Sequence, residues 1–147
     1  MTQHDAAMLT RTGSCLCGGV RIKTHGDLRG VVFCHCSQCR KQTGLYFAAT
    51  NVADDQLEVE GAGNVSWYEA SDFARRGFCR SCGSALFWKV VGSDVTSVMA
   101  GLFDQPSGLE PAMHIFAAYK GDFYHINDDL PHHEYSSSDV PVAPRER

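Results

Sequence analysis

No stretch of this 147-residue chain is apolar for long enough to cross a membrane, and its first dozen residues lack the apolar core of a secretion signal. No basic block occurs, and the net charge is −4. A nucleic-acid or anionic-membrane surface is therefore not expected as the main partner. Prolines are few, at 5, and no internal repeat is apparent. The cysteine count is odd, at 7, so disulfides cannot use every thiol. With no signal sequence, the expected compartment is the cytosol, where thiols stay reduced. At this length one domain with a real core is expected.

The cysteines that are present fall into three short clusters: Cys15-Leu-Cys17, Cys34-His-Cys36-Ser-Gln-Cys39 and Cys79-Arg-Ser-Cys82. Such spacings suit metal ligation, because a tight turn delivers two thiolates to one face. The glycines after Cys17 and Cys82 let the backbone make that turn. Seven thiolates divide into four, which close a tetrahedral zinc site, and three, which leave a zinc with one open position. A closed site is structural, whereas an open one can bind a substrate atom.

Spacing alone leaves the pairing open. A zinc-ribbon arrangement joins Cys36 and Cys39 to Cys79 and Cys82. The alternative joins Cys15 and Cys17 to Cys79 and Cys82 and leaves Cys34, Cys36 and Cys39 as a local triad. The second has the advantage that three ligands within six residues form an open site without help from distant chain.

Short segments of strand character fill the chain between the clusters. Val20–Lys23 and Leu57–Glu60 alternate apolar and polar residues, while 30–33, 46–50, 85–91, 94–101 and 113–119 are rich in β-branched and aromatic residues. One short helix is expected between Ser37, as N-cap, and Gly44. The expected fold is mainly β, with twisted antiparallel sheets of short strands and few helices. Residues 1–12 read as a flexible arm, 13–135 as a single zinc domain and 136–147 as a disordered tail. Trp67, Tyr68, Phe78, Phe87 and Trp88 are expected to fill the core, with one or two left to line a pocket.

Three motifs carry a family resemblance: Gly13-Ser-Cys15-Leu-Cys17-Gly18-Gly-Val20-Arg21, Cys34-His-Cys36-Ser-Gln-Cys39-Arg-Lys41 and Arg76-Gly-Phe78-Cys79-Arg-Ser-Cys82-Gly83. Together with Gly101-Leu-Phe-Asp104, His114-Ile-Phe116, Lys120 and Asp128-Asp-Leu130-Pro131, they resemble the glutathione-dependent formaldehyde-activating enzyme family. The resemblance runs from about Gly13 to Glu134; Phe123-Tyr124 stands where that family often shows a tryptophan. It implies an Mss4-like fold, a structural zinc on Cys15, Cys17, Cys79 and Cys82, and a second zinc on Cys34, Cys36 and Cys39. The implied activity is that of a carbon–sulfur lyase, with a small thiol such as glutathione as partner and formaldehyde or a similar aldehyde as electrophile. A protein-binding module and a redox or zinc sensor using the triad are the rival readings.

Around the triad, His35 is expected not to be a ligand. Arg40 and Lys41 are candidates to meet the substrate's carboxylates. His114 reads as a hydrogen-bonded packing residue, and Asp128 and Asp129 as caps of the turn into Leu130-Pro131. His132 and His133 are expected at the surface.

Overall fold

Alternation along the chain becomes strand geometry at once. In Arg21-Ile-Lys-Thr-His25 the side chains of Ile22 and Thr24 turn inward while Arg21 and Lys23 face water. The computed structural model describes residues 9–137. Among them run β1 (Thr10–Ser14), β2 (Arg21–His25), β3 (Val31–Cys34), the helix α1 (Ser37–Thr43), β4 (Phe47–Ala53) and β5 (Leu57–Glu60). There follow β6 (Val65–Glu69), β7 (Ala74–Cys79), β8 (Ala85–Val90), β9 (Val95–Met99) and β10 (Pro111–Ile115). The fold is mainly β, as expected.

A three-stranded sheet has the order β1-β2-β5, and a seven-stranded sheet the order β10-β3-β4-β9-β8-β7-β6. Neighbouring strands pair antiparallel except β10, which runs parallel to β3. That exception brings a distant segment alongside the triad. Gly13 lets β1 lie against the segment that follows β9: it bridges Phe103 there, and a Cβ at Gly13 would overlap the Leu102 carbonyl oxygen. Cys15 follows two residues later, so the contact sets its position.

Two apolar clusters underlie the two groups of cysteines. The larger packs Val20, Ile22, Val52, Leu86, Phe87 and Val98 with Cys15 and Cys79. The smaller packs Phe47, Ala49 and Phe116 with Cys36 and Cys39. Leu86 and Val98 are wholly enclosed, and each such side chain contributes roughly 1.5–3 kcal/mol of burial.

Several expectations shift. Thr10 to Thr12 belong to β1 rather than to an arm, because their backbone pairs with β2; residues 1–8 and 138–147 lie outside the described residues. The helix cap is Cys36, one residue before Ser37, with its sulfur accepting from the Cys39 N–H; Gly44 ends the helix at φ 87°. Segment 94–101 gives way to a 3₁₀ turn after Met99, and segment 113–119 to another at Ala117–Tyr119. Trp67 and Tyr68 do not fill the core: they lie on β6, the last strand of the large sheet, and are 37% and 55% exposed.

Candidate metal centres and the cavity beside them

The turn after β1 closes with Cys15 N–H donating to the Val20 carbonyl at 2.9 Å and Gly18 N–H to the Cys15 carbonyl at 3.2 Å. It aims the Cys15 and Cys17 sulfurs at the end of β7, where Cys79 sits wholly buried. Gly83 N–H donates to the Cys79 carbonyl at 2.7 Å and turns Cys82 back toward the same point. The four sulfurs lie within 4.8 Å of one another.

Their spacing is informative. Cys15 Sγ is 3.7 Å from Cys17 Sγ, which is 3.8 Å from Cys79 Sγ. Four sulfurs at about 2.3 Å from one tetrahedral ion stand about 3.8 Å apart. A disulfide would require about 2.05 Å, and all seven thiols are free. N–H groups surround the cluster: Val20 N donates to Cys15 Sγ at 3.3 Å, Gly19 N to Cys17 Sγ at 3.4 Å and Asn64 Nδ2 to Cys79 Sγ at 3.2 Å. Such donors stabilise thiolate charge, so the group can hold a metal ion.

Cys34 ends β3, Cys36 caps α1 and Cys39 lies in its first turn. These three sulfurs also converge within 4.8 Å. Hydrogen bonds from Cys34 and Cys39 push the Cys36 thiol down to about 2, against the effect of burial. Hydrogen bonding to Cys36 and Cys39 raises Cys34 well above the usual thiol range. Arg76 of β7, 4% exposed, reaches across to donate to Cys39 Sγ at 3.4 Å and to Gln42 Oε1 at 2.7 Å. Its guanidinium also lies over the Phe47 ring at 5.4 Å.

A cavity of about 280 Å³ opens on the triad. All three cysteines line it, with Arg29, Arg76 and Trp88 among the other walls. Arg29 is held by the carbonyls of Gly30 and Ala49. The cations of this cavity are therefore Arg29 and Arg76, not Arg40 and Lys41. Lys41 lines a separate hollow of about 400 Å³ beside α1, and Arg40 packs against Gly121. Arg76 was visible in the sequence only as part of a motif, and Arg29 had no local signal.

His35 is not among the residues that line the triad cavity. It is completely buried, with Nδ1 2.5 Å from Tyr124 Oη and Nε2 2.8 Å from His114 Nδ1. Burial, with His114 adding, pushes its pKa down to about 4, so it stays neutral. His114 Nε2 is in turn 2.9 Å from Asp128 Oδ2. Asp128 also caps its turn, accepting from Leu130 N–H at 3.0 Å. His132 is exposed, His133 half-buried and Asp129 exposed.

Comparison with known proteins follows the same lines. Residues 10–119 match the family described as glutathione-dependent formaldehyde-activating enzyme. An uncharacterized lyase of Schizosaccharomyces pombe is 33% identical over 76 residues, which are 52% of this chain and 55% of that protein. The chain thus spans about half the length of this curated relative. A crystal structure of a Rhodobacter sphaeroides protein is similar with a TM-score of 0.55 at 26% identity, over 68% of this chain and 97% of that one. Among the described residues no helix is long and apolar enough to cross a membrane.

Proposed function

This chain belongs to the glutathione-dependent formaldehyde-activating enzyme family, and on that premise we propose that it is a carbon–sulfur lyase-like enzyme of the cytosol. Its substrate is the adduct of a small thiol, glutathione or a close analogue, with formaldehyde or another small aldehyde. The observation that carries this reading is the meeting of three sulfurs with a cavity walled by two arginines. The family match and the lyase-named relative support the reaction class.

In this reading Cys15, Cys17, Cys79 and Cys82 hold a structural zinc, and Cys34, Cys36 and Cys39 hold a second one. The second zinc, when bound, offers an open position that takes a thiol and lowers its pKa. Three thiolates around a divalent ion leave one negative charge, which the buried Arg76 guanidinium offsets. Arg29 and Arg76 give the cavity a positive wall for the carboxylates of a tripeptide thiol. Trp88 supplies an apolar face that helps keep water from the sulfur. In the forward direction the substrate's S–H bond breaks, a sulfur–carbon bond forms to the aldehyde carbon, and the proton ends on the former carbonyl oxygen. Lyase action is the reverse.

Calorimetric titration under anaerobic conditions tests the proposal, with glutathione and then S-methylglutathione added to the zinc-loaded protein. Saturable binding of the thiol and not of the thioether is expected. Equal binding of both, or of neither, would exclude a metal–thiolate mechanism for glutathione.

A further inference from the structure

Three side chains outside the cysteine clusters converge at the edge of the larger sheet: His114 in β10, Asp128 in the loop beyond it, and His132. One donor atom from each lies within 4.8 Å of the others. His114 Nε2 and His132 Nε2 lie 3.2 Å and 3.5 Å from the same Asp128 oxygen, Oδ1. Two donors about 2.1 Å from one cation stand about 3.0 Å apart at a right angle, and about 3.4 Å apart at the tetrahedral angle. The two observed separations are close to this pair.

We infer that His114, Asp128 and His132 form a third metal site, one for a divalent first-row transition ion. Two imidazoles and one carboxylate suit zinc, iron(II), cobalt or nickel; they are too nitrogen-rich for calcium or magnesium and too hard for copper(I).

The site is built rather than incidental. His114 is 5% exposed, and its ring stacks on Phe33 at 5.0 Å. Its Nδ1 meets His35 Nε2, which gives the ring the outer hydrogen-bond partner that metal-binding histidines generally have. Leu130 N–H orients the Asp128 carboxylate. His132 is placed by backbone pairing: His114 N–H donates to the Pro131 carbonyl and His133 N–H to the His114 carbonyl, both at 2.9 Å. The Asp128 and His132 side chains are 47% and 38% exposed, which leaves an approach from solvent and room for water to complete the coordination.

An ion here would reach the triad's surroundings in two ways. With Nε2 on the metal, His114 carries its hydrogen on Nδ1 and donates to His35 Nε2; His35 then donates from Nδ1 to Tyr124. One tautomer is thereby selected along the whole chain. The ion also pins residues 128–132, and the segment after them continues through Tyr135, whose carbonyl accepts from Phe116 N–H, to Ser136 and Ser137 on the wall of the triad cavity.

The test adds cobalt(II) to protein whose cysteine clusters are already loaded with zinc. The expected result is one bound equivalent with weak d–d bands and no thiolate-to-metal band in the near ultraviolet. His132→Gln and Asp128→Asn each weaken this binding by more than about tenfold, whereas His125→Gln, at an exposed histidine outside the cluster, leaves it unchanged. His132→Gln alters an exposed side chain, and an unchanged thermal transition shows that the fold persists. Failure to bind cobalt at micromolar concentration, a thiolate band in place of d–d bands, or equal binding by His132→Gln and Asp128→Asn would overturn the site.

Discussion

Replacing Cys79 and replacing Cys36 by serine should have very different consequences. An ion at the first cluster joins parts of the chain 62 residues apart, the separation of Cys17 and Cys79. Treated as a cross-link, closure of a loop of that length contributes about 4 kcal/mol at room temperature. The triad spans only Cys34 to Cys39, and the same relation gives about 2 kcal/mol for so short a loop. Cys36→Ser has a further mitigation: Cys36 caps α1 through its sulfur, and serine is a good cap. Cys79, in contrast, is wholly enclosed in the larger apolar cluster. Urea unfolding of both variants, with metal counted in each, reads the difference. Against a total stability of about 5–15 kcal/mol, a gap of about 2 kcal/mol moves the midpoint by roughly 1 M. Cys36→Ser should stay folded and lose one metal equivalent. Equal destabilisation, or a larger loss for Cys36→Ser, would refute the division of labour between the clusters.

Arg76→Met removes the cation beside Cys39 and should weaken glutathione binding about ten- to a hundredfold, the worth of a hydrogen bond to a charged group; calorimetry reads it, and an unchanged affinity would deny Arg76 its role. Leu86→Ala opens a void in the larger cluster and should cost roughly 2–5 kcal/mol in chemical unfolding, while a loss below about 1 kcal/mol would show that the cluster collapses around it. Burial raises the Asp54 carboxyl, but hydrogen bonds from Lys89 and Thr96 outweigh it and lower its pKa. A lowered folded pKa stabilises above the unfolded value and is lost as pH falls through the folded one. The stability gap between the wild type and Asp54→Asn should therefore be present at neutral pH and close below about pH 4; a gap that persists in acid would contradict this.

The residues that sequence reading reached were those whose signal is local. Cysteine spacing marks turns, Gly44 marks a helix end, and alternation marks β2 and β5. The resemblance, not the spacing, chose between the two ways of pairing the clusters, and the structure brings Cys15, Cys17, Cys79 and Cys82 together. What escaped depends on distant contacts. Arg29 and Arg76 become cavity walls only when β4 and β7 take their places in the sheet. β7 itself carries Ala-Arg-Arg-Gly, which does not alternate, yet Arg76 points inward. Trp67 and Tyr68 look like core residues by type and are exposed because β6 has a neighbour on one side only. Residues 79 and 14 apart in sequence join in the His35–His114–Asp128 chain, and the longer separation exceeds any window of sequence.

X-ray absorption at the zinc edge, with and without glutathione, reads the proposed open position itself. In protein loaded with two equivalents of zinc at the cysteine clusters, seven sulfurs give an average of about 3.5 per ion. The average should rise to about 4 when the thiol of glutathione takes the open position. An average that stays near 3.5 at saturating glutathione would contradict it.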